Sequence, residues 1–334
     1  MKKIFKTVVK FVFVEAAVLS LASCQTNTKD ENVIGSGDEK IAVVKYMSHT
    51  SLNAIEDSIV GEIMDKLDEK DYTLRKYDGA ADASNISQIM SHLKSEKTDI
   101  VICIATPVAM AAKQAFTGTD TKVVFAAVSD PVSAEVVTNL EHPEGNVTGT
   151  SDQVDLEKQL ELAYKVNKDL KNIGYIYTAG EANSLANQKR LEELAKEKGF
   201  NLVDRIVSSP AEITEVANAL LTKIDALIVT DDNNVASAMP TLSQLLIKNK
   251  IPCYCAADSE IQDGGMMGYS INYEKLGVDT ADMAVELFNG KDVKDVPVKV
   301  YSSSELNLYY NSAFVNNSGI SIPSELLAIA KDLA

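Results

Sequence analysis

The sequence predicts an α/β protein with two doubly wound parallel-sheet lobes of similar size. Apolar, β-rich runs alternate with amphipathic helical stretches through most of the 334 residues. Successive apolar runs start 22 to 31 residues apart, which is enough for one strand and one helix. The pattern restarts near Ile173. Nearly continuous apolar strands that alternate with helices are typical of parallel sheets covered on both faces, so two such sets predict two lobes.

The first set of elements covers residues 41–128. Its helices are amphipathic, as in the stretch 52–69, where Ile55, Ile59 and Ile63 fall on one face. Pro107 suits the first turn of a helix, because that position needs no N–H donor. The predicted strands are Ile41–Tyr46, Tyr72–Tyr77, Ile100–Ala105 and Lys122–Val128, and the predicted helices are Leu52–Glu69, Ser84–Glu96 and Pro107–Phe116.

The second set repeats this alternation and is followed by a less regular tail. Its strands are predicted to begin near Ile173, Leu202, Ala226 and Ile251, and its helices are Asn183–Lys198, Pro210–Lys223 and Asn233–Asn249. In the tail, the predicted elements are a strand at Gly265–Ile271, a helix at Glu274–Phe288, a strand at Val298–Tyr301 and a short helix that begins near Ile322.

The first 24 residues resemble a bacterial lipoprotein signal. Four lysines precede an apolar run at 11–22, interrupted only by Glu15, and small residues lead into Cys24. This layout is that of a signal peptide, and the run is too short for a membrane span, which needs about 20 residues. We predict a signal peptide at 1–23, lipid attachment at Cys24 and a flexible polar tether at 24–39. An ordinary secretory signal with an unrelated cysteine is the alternative.

Composition and charge narrow the range of functions. The formal net charge is −16, and it is −19 without residues 1–23. Such a surface repels nucleic acid and anionic membrane faces. No Gly-x-Ser-x-Gly, Walker or Gly-x-Gly-x-x-Gly motif occurs. The three histidines, and the three cysteines other than Cys24, lack metal-ligand spacing. We therefore expect no nucleic-acid partner, no cofactor, no metal and no enzymatic activity.

The loops after the predicted strands are the candidate ligand-binding region, because ligands of open α/β sheets lie beyond the carboxyl ends of the strands. These loops are rich in Ser, Thr, Asn and Asp, and several lead directly into helices. Helix N-termini can hold a carboxylate without a basic side chain. Carboxylates for an ammonium group are available from Asp130, Asp152, Asp232 and Asp258. The loops therefore predict a zwitterionic ligand, and the alternative is that these residues act only as helix N-caps.

Several of these loops resemble a known family. The matching stretches occur in order and span the chain after the tether: Met47–His49, Ile104–Pro107, Ser129–Pro131, Gly145–Gly149, Asp232–Asn233 and Asn272–Gly277. They are similar to the ABC-transporter substrate-binding lipoproteins of the tryptophan/tyrosine-binding type. The resemblance implies a type I periplasmic-binding-protein fold with a three-crossover hinge. Lobe 1 would comprise 40–150 and 272–296, and lobe 2 would comprise 151–271 and 297–334.

The resemblance also implies ligand contacts and partners. The contacts fall on Ser48, Thr106, Asp130, Ser151, Asp152, Asn183, Ser184, Asp232 and Asn233, to which the loop analysis adds Asp258. We expect a monomeric, lipid-anchored receptor on the outer face of the cell membrane. It would pass a small ligand, an aromatic or other amino acid, to the permease and ATPase subunits of an ABC importer. The alternatives are a sensor lipoprotein that acts with a membrane receptor, a nucleoside-type solute receptor, and an exported enzyme that uses aspartates for acid–base chemistry.

Overall fold

A computed structural model describes residues 33–334. The predicted signal peptide, Cys24 and the tether as far as residue 32 lie outside the described residues. The strands are β1 (Val33–Gly35), β2 (Glu39–Lys45), β3 (Tyr72–Asp78), β4 (Ile100–Ile104), β5 (Lys122–Ala126), β6 (Val147–Ser151), β7 (Asn172–Thr178), β8 (Asn201–Val207), β9 (Ala226–Val229), β10 (Cys253–Cys255), β11 (Met267–Ser270), β12 (Lys299–Val300), β13 (Asn307–Tyr310) and β14 (Lys331–Asp332).

Helices connect most of these strands. They are α1 (Thr50–Lys66), α2 (Ala83–Ser95), α3 (Thr106–Phe116), α4 (Leu156–Val166), α5 (Ala182–Lys198), α6 (Ile213–Leu220), α7 (Asn233–Ser237), α8 (Met239–Asn249), α9 (Asp258–Gln262), α10 (Tyr273–Phe288), α11 (Ser312–Ser318) and α12 (Ser324–Leu327). No helix within residues 33–334 has both the length and the apolar character that crossing a membrane requires.

Lobe 1 contains a seven-stranded sheet in the order β1-β3-β2-β4-β5-β6-β12. All neighbours are parallel except β1, which pairs antiparallel with β3 at one edge. Its central strands are buried on both faces, since α1 and α10 cover one face and α2 and α3 cover the other. On α1, the predicted stripe of Ile55, Ile59 and Ile63 is fully buried.

Lobe 2 contains a second seven-stranded sheet in the order β14-β13-β11-β10-β9-β7-β8. Its strands are parallel except for the antiparallel pair β11 and β13. One continuous core holds this lobe together, and it includes the fully buried side chains of Tyr175 and Tyr254. The cysteines Cys103, Cys253 and Cys255 are buried and unpaired.

The chain passes between the two sheets three times. It leaves lobe 1 after β6 and enters α4, returns between β11 and α10, and crosses again between β12 and β13. Two α/β lobes joined by three crossovers confirm the predicted fold class. The carboxyl ends of the central parallel strands of both lobes lie at the cleft between the sheets, where the predicted ligand region is expected.

Two predicted boundaries differ from the structure. Val33–Gly35, inside the predicted tether, form β1 and pair with Leu74 and its neighbours. Lys299–Val300, assigned to lobe 2 in the prediction, pair instead with Thr150–Ser151 at the edge of the lobe 1 sheet. Both segments are short, and backbone pairing at a sheet edge needs no apolar pattern. The sequence therefore does not show that Val33–Gly35 form a strand, nor which sheet the predicted strand at Val298–Tyr301 joins.

Candidate ligand-binding cleft

A narrow, nearly filled cavity lies between the lobes, where the strands of both sheets end. Its walls come from the loops that follow the strands and from the first turns of the helices that begin there. The lining residues are His49, Ser51, Leu52, Ala105, Thr106 and Ala127 from lobe 1, Asn183, Asp231, Asn233, Ala236, Ala257 and Glu260 from lobe 2, and Asp152 and Tyr273 beside two of the crossovers.

Three side-chain hydrogen bonds join the lobes across this cavity. The Nε2 atom of His49 lies 3.1 Å from Oδ1 of Asn233. The hydroxyls of Ser51 and Ser259 are 2.5 Å apart. The hydroxyl of Ser129 donates to the carboxylate of Asp231. The lobes are thus in direct contact, and the structure represents a closed arrangement of the cleft.

Lobe 1 offers two uncapped helix N-termini to the cavity. The residues before α1 and α3 are His49 and Ala105, and neither side chain accepts a hydrogen bond from its helix. The first N–H groups of a helix lack intrahelical partners and carry partial positive charge. Together with the hydroxyl of Thr106, they form a wall that favours a carboxylate.

The backbone of lobe 1 is unusual at the same place. Ala105, at the end of β4, has φ of 80°, and Ala127, just after β5, has φ of 55°. Non-glycine residues rarely adopt positive φ, and such conformations concentrate at functional sites. Both residues line the cavity. Their small side chains leave the backbone of lobe 1 close to any bound ligand.

A pair of carboxyl groups occupies the crossover side of the cavity. Asp152 accepts a hydrogen bond from the hydroxyl of Tyr273 at 2.8 Å, and its other carboxyl oxygen lies 3.1 Å from the hydroxyl of Ser129, whose single hydrogen is donated to Asp231. Asp231 accepts from the amide of Asn187 at 2.5 Å. Because Ser129 contacts both carboxyls, the two acids lie close together. Burial raises the pKa of Asp152, and burial together with the charge of Asp152 raises the pKa of Asp231 well above its usual range.

Further acids of lobe 2 surround this pair. Burial, and then the charge of Asp232, raises the pKa of Glu181 to about 8. Burial also raises the pKa of Glu260 well above its usual range. None of the described residues that line the cavity is Lys or Arg, and burial lowers the pKa of His49 to about 4, which keeps its ring neutral. The acidic wall therefore lacks a protein cation and suits a cationic group of a ligand.

Three buried polar atoms on cavity-lining residues have no hydrogen-bond partner within residues 33–334: Nδ1 of His49, Oδ1 of Asn183 and Oε1 of Glu260. A buried polar group without a partner costs about 1 to 3 kcal/mol. Such atoms indicate a polar ligand that would satisfy them. Within residues 33–334, no group of three or more His, Cys, Asp or Glu side chains is arranged to hold a metal ion.

Four of the predicted contact residues line the cavity: Thr106, Asp152, Asn183 and Asn233. Two others are buried beside it. The hydroxyl of Ser151 donates to the backbone carbonyl of Ser129 at 3.1 Å. Ser184 is fully buried in α5, where its carbonyl accepts from Tyr175.

The other four predicted residues have structural partners outside the cavity. Ser48 is exposed and donates to Asp78 at 2.7 Å. Asp130 accepts from the backbone N–H of Ser133 at 2.9 Å, in a groove outside the cavity. Asp232 accepts from Thr178 and caps α7. Asp258 accepts from its neighbour Ser259 and from Asn272. Of these three aspartates, only Asp232 is a helix N-cap, as the alternative predicted.

Four other residues that line the cavity were not among the predicted ligand contacts: Asp231, Glu260, His49 and Tyr273. For Asp231, the sequence does contain an indication that it faces the cleft, because Asp231 and Asp232 are adjacent. A helix that starts at residue 233 places Asp232 at the N-cap, where its side chain accepts from the N–H three residues later. The preceding aspartate is then free to face the cleft. Glu260 and Tyr273 lie within helices, so their positions depend on helix packing.

The fold, the three crossovers and the polar cleft between the lobes define a type I periplasmic binding protein. Residues 40–334 match the family model described as ABC transporter substrate binding protein, and the chain belongs to this family. A solute-binding role in ABC transport, as the sequence resemblance implies, is thereby confirmed.

Three relatives are similar over most of their length. The tyrosine-binding protein of Clostridioides difficile is 31% identical over 313 residues, which cover 91% of this chain and 89% of the relative. A structure of the ABC domain from Streptococcus pneumonia in complex with L-Trp is 31% identical, with a TM-score of 0.81 over 89% of this chain and 99% of that one. The ligand-free, open structure of a substrate-binding protein from Clostridium difficile is 33% identical, with a TM-score of 0.66 over 88% and 99%.

Proposed function

We propose that this protein is the lipid-anchored, extracytoplasmic receptor of an ABC importer and that it captures an aromatic amino acid between its lobes. The observation that carries the proposal is the opposite polarity of the two cavity walls. Uncapped helix N-termini lie on lobe 1, and carboxyl groups without a protein cation lie on lobe 2 and at the crossovers. A zwitterion has the matching charges. The relatives named for tyrosine binding and solved with L-Trp support an aromatic side chain.

In this proposal, each end of the amino acid has its own wall. The carboxylate accepts hydrogen bonds from the N-termini of α1 and α3 and from the hydroxyl of Thr106. The ammonium group donates to Asp152 and Asp231, whose raised pKa values fall when the cation arrives. Asn183 and Asn233 of lobe 2 complete the polar contacts.

Closure of the lobes would accompany capture. The chain is about as identical to the L-Trp complex as to the ligand-free, open structure, yet its TM-score is 0.81 with the former and 0.66 with the latter. The hydrogen bonds of His49, Ser51 and Ser129 to lobe 2 belong to the closed arrangement. In the open receptor, the three crossovers would absorb the rotation, since hinges consist of a few connecting residues.

The test of ligand class is calorimetry on the chain that starts after Cys24, purified by unfolding and refolding to remove carried ligand. We expect tyrosine or tryptophan to bind, and we expect their amides and decarboxylated amines to bind much more weakly, because each lacks the anionic end. Equal binding of the amine forms would contradict the two-wall arrangement. A preference for nucleosides or sugars over every amino acid would refute the proposed ligand class.

The lipid anchor is tested separately on the full-length precursor. Cys24→Ala should abolish membrane retention, while the protein still binds ligand through residues 33–334. Cys103→Ala is the matched control, because that cysteine is buried in lobe 1. Equal membrane retention of the Cys24→Ala protein and the wild type would overturn the anchoring proposal.

A further inference from the structure

A chain of three side chains crosses the cleft from lobe 1 to lobe 2. The ring of His49, just before α1, contacts Oδ1 of Asn233 through its Nε2 atom at 3.1 Å. The Nδ2 atom of Asn233 donates in turn to Oε2 of Glu181. His49 and Asn233 both line the cavity, and the chain fixes how each of them presents its polar atoms.

The orientation of the Asn233 amide follows from the partners of Glu181. Its Oε2 atom accepts from the backbone N–H of Asn233 at 3.3 Å, and a backbone N–H can only donate. Oε2 also accepts from Nδ2 of Asn183 at 3.4 Å, so the proton that the raised pKa leaves on Glu181 lies on Oε1, and Oε2 requires the NH₂ group of Asn233 on its side. The carbonyl oxygen Oδ1 then faces His49, so Nε2 of His49 carries the proton of the neutral ring.

The other ring nitrogen of His49 is consequently a lone-pair acceptor. This Nδ1 atom is buried and has no partner among the described protein atoms. The lowered pKa of the ring, about 4, means that Nδ1 does not gain a proton near neutral pH. The lobe 2 wall of the cavity also presents a hydrogen-bond acceptor without a partner. The Nδ2 atom of Asn183 donates to the backbone carbonyl of Asp231 at 2.9 Å, which leaves its unpartnered Oδ1 as a second acceptor.

We propose that His49 determines ligand specificity by accepting, at Nδ1, a hydrogen bond from an N–H or O–H group on the side chain of the bound amino acid. This inference rests on the proposed function. The three N–H groups of the ammonium have Asp152, Asp231 and the unpartnered Oδ1 of Asn183 as acceptors, and the ligand carboxylate has no hydrogen to donate. The remaining donor of the ligand is on its side chain. Aromatic side chains with a polar hydrogen, those of tyrosine and tryptophan, are selected over that of phenylalanine.

The discriminating experiment is calorimetry with tyrosine, tryptophan and phenylalanine on the wild type and on His49→Phe. The substituted side chain keeps a ring but lacks both nitrogens. We expect the wild type to bind tyrosine or tryptophan roughly ten- to a hundredfold more tightly than phenylalanine, because phenylalanine leaves Nδ1 unpaired. In His49→Phe, this ratio should fall to within about threefold. Loss of the contact with Asn233 weakens all three ligands alike, so the ratio reports on Nδ1 alone. Ser48→Ala, next in sequence but exposed, is the control and should keep the wild-type ratio.

Nitrogen-15 NMR of histidine gives a second readout that a purely structural role would not move. The chain has three histidines, so His49→Phe assigns the signal of His49. We expect a proton on Nε2 with and without ligand, and an upfield shift of the Nδ1 resonance when the preferred ligand binds. A proton on Nδ1 in the complex would overturn the inference. Equal affinity of the wild type for the three ligands would overturn it too, yet leave the proposed function intact. If no amino acid binds, both proposals fail.

Discussion

The two lobes have similar architectures but bring opposite chemistry to the cleft. Lobe 1 contributes helix N-termini, small side chains and hydroxyls, as at Ser51, Ala105 and Thr106. Lobe 2 contributes acids and amides, as at Asp231 and Glu260. Similar strand–helix units thus build walls of opposite polarity, because the residues at the strand ends differ. In the proposed function, this difference would give a bound zwitterion one orientation, and it makes each wall separately testable.

The largest expected effect comes from removing the charge of Asp231, one of the acids that line the cavity. Asp231→Asn should weaken ligand binding by about 2 to 5 kcal/mol, since it leaves the ligand ammonium without one of its carboxylates. Calorimetry on the refolded protein measures the change. Asp130→Asn is the matched control, because Asp130 accepts from Ser133 outside the cavity. An equal loss in both variants would argue against a cationic subsite at Asp231.

The neighbouring acid should affect stability and not affinity. Asp232 accepts from the N–H and hydroxyl of Thr178 and from the N–H of Val235, so it joins β7 to the start of α7. Asp232→Ala should lower the free energy of unfolding by about 1 to 3 kcal/mol. Denaturant unfolding checks this value. A variant that unfolds like the wild type but binds ligand poorly would transfer the binding role from Asp231 to Asp232.

The acidity of lobe 2 should appear as a pH dependence of stability without ligand. Glu181 has its pKa raised from 4.5 to about 8 by burial. The folded protein then holds a proton that the unfolded chain has released, so the contribution of Glu181 to stability is fully present below pH 4.5 and is lost as pH rises towards 8. One such group gives a slope of at most about 1.4 kcal/mol per pH unit. Thermal melting at several pH values tests this prediction, and Glu181→Gln should flatten the slope.

The contact between Ser51 and Ser259 should have the smallest effect. Ser51→Ala removes one hydrogen bond between the lobes and should weaken closure on ligand by about 0.5 to 1.5 kcal/mol. Small-angle scattering during a ligand titration reports compaction, and its midpoint should move to higher ligand concentration. Ser91→Ala on the exposed side of α2 serves as the control. Unchanged dimensions of the wild type on saturation would contradict closure altogether.

Much of the fold could be predicted because its determinants are local. The run Ile100–Ile104 is buried at every position and reads as an apolar strand without tertiary information. Two other stretches were predicted less well. Helix α4 was not predicted, although its buried residues Leu156, Leu160 and Ala163 recur at helical spacing. The stretch 233–249 was predicted as one helix, but it divides at Ala238, since Pro240 cannot donate in a continuing helix.

The sequence predicted the kinds of residue at the site better than it predicted the individual residues. Loops after parallel strands were expected to carry polar groups, and Thr106, Asp152, Asn183 and Asn233 do line the cavity. The choice between Asp231 and Asp232 depends on a single position at the end of β9, which decides whether a side chain faces the cleft or a helix. The role of His49 depends on Asn233, 184 residues away in sequence. No local pattern in the sequence reports such a pairing.

The acidic wall has a consequence for the fidelity of transport. Closing an empty cleft around Asp152, Asp231 and Glu260 requires that these groups take up protons or repel one another. Without ligand, the protein therefore favours the open form, so the closed form indicates that a ligand is bound. An importer that recognises the closed form would rarely hydrolyse ATP without a ligand to transport. In the proposed function, the carboxyls that bind the ligand would thus also prevent ATP hydrolysis without transport.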